Sequence, residues 1–388
     1  MARRATLTHD ALISLGPEKL ARLILDEAGR NSAFKRLVTA ALAATHGPEA
    51  VAAVVDGRLS ALERARGPIA WEKRKAFVSD LEATLKTITD ELGAADSAAA
   101  VERILRFLAG AESVFERVDD SSGSVQEVYH AAAEAAPGLT ANLSDDQKAR
   151  LPSRIMPLLA ADRYGLIGRV VDALVPLLPP DANLRFDAAL AAAVQEIGPT
   201  REDTRDWERQ ARRDRLIRAR QAIADYRGDV DAFMALEQER SGQCQDSLAI
   251  AERLLGSGRA SEALDWVRRP TRPGLRVMTW HDMGDGSGGQ DRSARQRIAL
   301  EVRILEAIGD RDAAQALRWQ SFEATLDASM LRDYLAHLPD FAEFEALDRA
   351  FDTLADYRGD FAVEDFVLYA HDPDQGWRRH AAFRLQGS

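Results

Sequence analysis

Between Asp246 and Thr325 the chain gives the same local instruction twice. SLAIAERLLGSGRASEALDWVRR and IALEVRILEAIGDRDAAQALRWQSFEAT each run an amphipathic helix into a glycine (Gly258, Gly309). A charged residue follows (Arg259, Asp310), and an Ala-rich helix returns. One such hairpin has an apolar stripe on both helices and nothing of its own to bury it against, so successive hairpins must share a core. The feature therefore predicts an all-α fold, a right-handed α-solenoid of antiparallel helix pairs.

The device recurs elsewhere. Ala224-Asp225-Tyr226-Arg227-Gly228-Asp229 is repeated as Ala355-Asp356-Tyr357-Arg358-Gly359-Asp360. In each copy Gly suits a left-handed helix end, and Asp suits the cap of the next helix. Gly228 and Gly258 are 30 residues apart, and Gly258 and Gly309 are 51 apart. A unit of this size is close to the ~34-residue helix–turn–helix repeat of tetratricopeptide type, although that repeat's full signature is absent. Nearer the N-terminus, Gly16-Pro17 and Gly47-Pro48 combine a stop with a proline at the first helical position, where its missing N–H costs nothing. Thr8, Asn31 and Ser144 read as N-caps.

Pro179-Pro180 and Gly198-Pro199 are the strongest breaks in the middle of the chain. They suggest an N-terminal HEAT-like region over 1–200 and tetratricopeptide-like repeats over 201–388. A glycine-rich insertion at about 270–296 lacks helical period. The last residues, RHAAFRLQGS, read as part of an apolar helix that lacks a polar terminal cap.

Composition narrows the function classes. Apolar residues make up 46% of the chain, enough for a continuous core, while aromatic residues are only 6%, which disfavours strands. Net charge is −11 and neither half is basic, so sequence-independent nucleic-acid binding is not expected. The single cysteine, Cys244, rules out an intramolecular disulfide or a thiolate-rich zinc site. The N-terminus has no apolar run suited to a secretory signal, and no stretch of 18 apolar residues occurs, so a cytoplasmic location is expected.

Three polar clusters stand out. Asp119-Asp120-Ser121-Ser122-Gly123 could hold a cation or polar ligand through Asp119 and Asp120, with His130 on the next helix. The plainer reading makes Asp120 or a serine the cap of a helix starting near Ser124 and pairs Asp119 with Arg117 or another arginine. REDTRDWERQARRDRLIRARQ carries 8 arginines against 5 acidic residues. Arg205, Arg209, Arg212 and Arg213 could bind phosphate or an acidic partner, with Trp207 beside them. Self-pairing through Glu208–Arg212 and Asp214–Arg218 is the plainer reading. In the insertion, Trp280 with Met278 and Met283 could anchor a partner. Trp266 and Trp319 follow equivalent Ala-Leu steps and read as packing between repeats. No two of the seven histidines are paired at i,i+4, and the glycine-rich phosphate-binding signatures are missing. No catalytic residue, metal or cofactor is implied.

ERVDDSSGSVQEVYHAAAEAA, DRYGLIGRVVDALVPLL, LLGSGRASEALDWVRR and the segment from IGDRDAAQAL to FEALDRAF together carry a resemblance. The chain resembles a bacterial helical-repeat family of unknown function, related to the helical region that accompanies SWIM-type zinc fingers. The resemblance implies an all-α solenoid with no set activity. A lone cysteine cannot supply the zinc finger, so zinc binding is not implied. The expectation is a protein–protein interaction scaffold or adaptor. A nucleic-acid role for the 205–220 helix and a ligand site at Asp119-Asp120 are the alternatives.

Overall fold

The computed structural model describes residues 7–199, 206–240, 245–269, 289–339, 342–354, 365–372 and 376–384. All of its regular structure up to residue 354 is helical, and two compact units are present. The first unit comprises residues 1–259 with 269–277, and the second comprises 260–268 with 278–388. The sequence break at residue 200 falls inside the first unit.

The first unit begins with α1 (His9–Ile13), α2 (Pro17–Arg30), α3 (Ser32–Ala44) and α4 (Pro48–Arg64). Their starts follow the sequence signals. Thr8 Oγ1 accepts the amide of Ala11, Asn31 Oδ1 accepts that of Phe34, and Gly16 and Gly47 lie at φ +78° and +103° ahead of their prolines. α5 (Trp71–Lys86) passes through a π-helical turn, Thr87–Leu92, into the short α6 (Gly93–Ala95). Buried Thr84 and Thr87 donate to the carbonyls of Asp80 and Ala83, a back-bonding that competes with the regular ladder.

α7 (Ser97–Ala109), α8 (Ala111–Phe115), α9 (Ser124–Ala141), α10 (Asp145–Ala161), α11 (Leu166–Leu174) and α12 (Pro180–Ile197) follow. Ser144 and Gln147 close a reciprocal capping box at the start of α10. α9 and α10 run on through Pro137, Pro152 and Pro157. The unit ends with α13 (Trp207–Tyr226), α14 (Val230–Glu239) and α15 (Ser247–Gly256).

The helices pack in two series. α4, α7, α10 and α12 each touch the one before, and so do α5, α9, α11 and α13. Cross-packing of α7 on α9 and of α12 on α13 joins the series. Leu81, Ile104, Tyr129, Ile155, Val170, Phe186 and Ile217 are almost solvent-free between them. Burying side chains of this size contributes about 1.5–3 kcal/mol each, which is what holds helices that would be marginal alone.

The second unit holds α16 (Ala260–Val267), α17 (Gly289–Ile308), α18 (Arg311–Thr325), α19 (Ala328–Ala336) and α20 (Ala342–Leu354). α16 packs on α17, α17 on α18, and α18 on α19. Val302, Leu305 and Ala314 form one apolar cluster. Trp319, Phe322 and Ala350 form another, and Arg349 lies 3.9 Å over the Trp319 ring. α17 starts at Gly289, so residues 289–296 belong to a helix and not to the glycine-rich insertion.

The C-terminal residues correct the sequence reading. An antiparallel hairpin, β1 (Asp365–Asp372) and β2 (Gly376–Arg384), stands where an apolar helix was expected. Phe366, Val367 and Tyr369 favour extended backbone, and Asp372 through Gly376 carries turn-forming residues, so strand propensity outweighs the apolar run. The register shifts between Leu368 and Tyr369, a bulge that leaves His380 unpaired in the ladder.

The repeated turns have one geometry. At Gly228, Gly258 and Gly309, φ is +67°, +78° and +90°. The amide after each glycine (Asp229, Arg259, Asp310) reaches back five residues to Ala224, Leu254 and Leu305, at 2.8–2.9 Å. The glycine amide reaches back three, and together these two bonds make a Schellman ending. Asp229 and Asp310 then cap the next helix through the amides of Ala232 and Ala313. The copy at Gly359 lies outside the described residues.

Candidate functional site

The arginine-rich helix explains much of its own composition. Three of its arginines reach the carbonyl ends of three different helices: Arg209 donates to Ile197 O of α12, Arg213 to Glu239 O of α14, and Arg215 to Ala160 O of α10. A guanidinium at a helix C-terminus satisfies an orphan carbonyl and complements the dipole. Arg220 pairs with Asp187 at 2.7 Å. Thus Arg209 and Arg213, two of the candidate phosphate or partner contacts, are engaged in holding α13 to its neighbours. Arg205 and Trp280 lie outside the described residues. Arg212 is exposed and makes no ion pair or hydrogen bond among the described residues. The expected Glu208–Arg212 pair gives way to Glu208–Arg163, because Arg163 of the α10–α11 connection stands 2.5 Å from that carboxylate. Trp207 is exposed.

Asp119 and Asp120 are placed by capping. The Asp120 carboxylate accepts the amides of Val125 and Gln126 at 3.0 and 2.8 Å, at the N-terminus of α9. Asp119 Oδ1 accepts the Ser121 amide, and the arginine that reaches this residue is Arg74, which donates to the Asp119 backbone carbonyl. Arg117 instead donates to Ser113 O. On α9, the His130 pKa is held below its ordinary value by burial and by the nearby charge of Arg169.

What the tertiary structure adds is a groove. Two adjoining cavities of about 450 and 520 Å³ run along α11 and α13 and share Asp172, Arg218 and Arg240. The first is walled by the α10–α11 connection with Arg163 and Tyr164, by Arg169 of α11, and by Asp214 and Arg215 of α13. The second extends along Gln221 and Asp225 to Phe233 and Glu237 of α14 and to Ala249 and Arg253 of α15. Both sizes fall within the ~300–1,000 Å³ typical of ligand clefts.

Most of the charge here is spoken for. Glu237, nearly solvent-free, receives two bonds from Arg240 Nη1 at 3.1 Å, one from Gln221 and one from the Asp246 amide. Asp162 accepts the amides of Leu166 and Gly168, Asp225 is paired with Arg253, and Arg163 bridges Glu112 and Glu208.

What is left over defines the site. Arg169 and Arg218 are exposed in the groove and make no ion pair or hydrogen bond among the described residues. Arg215 Nε and Arg240 Nε are buried without an acceptor. Asp172 is the one acidic lining residue in the same position. Solvent reaches it, yet the surrounding walls strip much of its water and raise its pKa; Arg218 and Arg169 oppose the rise and Asp225 adds to it. Among the described residues the groove thus carries exposed guanidinium donors around one carboxylate, Asp172, that accepts no hydrogen bond. No local sequence signal marks it, since Arg169, Asp172, Arg218 and Arg240 come from three separate segments and only Asp214–Arg218 spacing drew attention to any of them.

Among the described residues no helix is long and apolar enough to cross a membrane, and no group of three His, Cys, Asp or Glu side chains is placed to hold a metal. No curated protein and no solved structure matches the chain. A family model does match, over residues 2–374, and the chain belongs to that family, a family of unknown function designated DUF6880.

Proposed function

We propose that the protein is an interaction scaffold, an α-solenoid whose second helix series presents a groove to another protein in the cytoplasm. The observation that carries this reading is the groove itself. It runs along α11 and α13 of one packing series and on to α14 and α15. Of its lining arginines, Arg169 and Arg218 make no ion pair or hydrogen bond among the described residues, while Arg209, Arg213 and Arg215 of α13 are engaged in capping. Stacked helix pairs build extended recognition surfaces without catalytic groups. The two packing series and the repeated Schellman turns support the solenoid part of the proposal, in which the pairs stack in the right-handed sense of tetratricopeptide and HEAT arrays. A kinship with the helical region beside SWIM-type zinc fingers belongs to the same proposal. Affinity purification from the native cells, with cross-linking and mass spectrometry, tests it. A stoichiometric protein cross-linked to α11 or α13 is expected. A chain that purifies alone under these conditions would overturn the reading.

A further inference from the structure

The unpaired groups of the groove specify what it takes. Arg169 and Arg218 present exposed guanidinium forks that make no hydrogen bond or contact ion pair among the described residues, with Asp172 as their electrostatic partner on the groove floor. Guanidinium forks match carboxylates and phosphates bidentately, and charge-assisted bonds of this kind are stronger than neutral ones. Asp172 stands among them, drawn electrostatically by Arg218 and Arg169 but accepting no hydrogen bond among the described residues. A ligand that is acceptor throughout would bring its charge against Asp172, whereas one with spaced anions and intervening N–H groups would answer both needs.

We propose that the α11–α13 groove binds an extended acidic peptide segment. Its side-chain carboxylates are received by Arg169 and Arg218, and a main-chain amide donates to Asp172. The proposal rests on the scaffold reading and deepens it by naming the chemistry of the partner. A nucleic-acid strand fits less well, because closely spaced phosphates would press against Asp172 without supplying a donor at regular intervals. Beyond the arginines the groove continues over Ala249 and over Phe233, whose buried ring lies 3.9 Å beneath the Arg253 guanidinium.

The test is fluorescence anisotropy of the full chain with fluorescein-labelled hexaglutamate, at low and physiological salt. Wild type is expected to bind, more weakly as salt rises. The double variant Arg169→Ala/Arg218→Ala should lose about tenfold or more in affinity while still melting cooperatively as a folded chain. Arg212→Ala, an equally exposed arginine of α13 outside both cavities, should bind as wild type does. The proposal is overturned if hexaglutamate fails to bind at millimolar concentration, or if Arg212→Ala weakens binding as much as the double variant. It is also overturned if labelled oligothymidylate binds more tightly with the same dependence on Arg169 and Arg218, which would make the groove a nucleic-acid site. Hexaglutamate failing while a stoichiometric protein still cross-links to α11 or α13 would remove the acidic-ligand assignment alone and leave the scaffold reading in place.

Discussion

Tyr129 of α9 stacks on Phe107 of α7, with ring centroids 4.6 Å apart and planes 11° from parallel. Phe115 meets the same ring edge-on at 5.2 Å, so three aromatic side chains lock α7, α8 and α9 together. The ring is solvent-free, but its hydroxyl has no hydrogen-bond partner among the described residues. Burial drives the phenol pKa well above its ordinary value, with Arg117 and Arg58 pulling it back only in part.

A buried hydroxyl without a partner costs about 1–3 kcal/mol, while the ring carries the packing. Tyr129→Phe is therefore expected to stabilise the protein by about 1 kcal/mol, read as a higher urea midpoint at unchanged slope. Tyr129→Ala should cost about 3–5 kcal/mol through the cavity it leaves. A Tyr129→Phe variant less stable than wild type would show that the hydroxyl is satisfied by a bound water.

The Schellman turns can be tested at Gly309. A Cβ there would meet open space, so any cost comes from the backbone at φ +90° and not from collision. Gly309→Ala should destabilise by about 1 kcal/mol, within the range for placing an L-residue in a left-handed conformation. Gly228→Ala and Gly258→Ala, with the same turn and the same open surroundings, should behave alike. Gly57, in the middle of α4 and equally open, is the control: Gly57→Ala should stabilise slightly, because alanine is the better helix former. Thermal melts that rank Gly57→Ala below the turn variants would contradict this account.

These turns were legible because everything that makes them is local. A glycine, the residue after it and an apolar stripe three or four residues back lie within one short window, and the same holds for the caps at Thr8, Asn31 and Ser144. The α13 arginines show where local reading stops. Their composition suggested a charged surface, but Arg209, Arg213 and Arg215 are defined by carbonyls 12, 26 and 55 residues away, which no helical wheel contains. Asp80 is a second case. It is buried between Arg36 and Arg58, and nothing in its own neighbourhood on α5 announces two cationic partners. The C-terminal hairpin was missed for another reason: short apolar runs suit strand or helix equally, and only pairing decides.

Asp172 gives a pH-dependent prediction. Its folded-state pKa is raised above 3.8, so the folded chain binds more protons at this site than the unfolded chain between the two values. Stability from this group therefore falls as pH rises through that window, and the whole penalty is present above the folded pKa. Asp172→Asn removes the penalty. It should raise Tm at pH 7, with the gain shrinking to nothing as pH approaches 3.8 from above. A Tm difference that stays constant from pH 4 to pH 8 would show that desolvation does not act on this carboxyl.

Arg318 is the corresponding test in the second unit. It projects from α18 with a side chain only 3% exposed, and its guanidinium is divided among Glu306 of α17, Asp333 of α19 at 2.6 Å, and Gln315 at 3.0 Å. One cation thereby joins three consecutive helices, and its removal leaves two carboxylates facing a partly desolvated space. Glu306 and Asp333 are 36% and 46% exposed, so water screens the stranded charges and deleting the cation costs about 1–3 kcal/mol, less than for a fully buried pair. Arg318→Ala should show that loss in urea denaturation. Arg318→Lys should recover only part of it, since an ammonium cannot serve three acceptors in the planar arrangement of the guanidinium. If Arg318→Ala with Glu306→Ala is more stable than Arg318→Ala alone, the stranded carboxylate is the source of the cost. If the double variant is worse, packing of the arginine stem against α17 and α19 is what matters, and the ionic account fails.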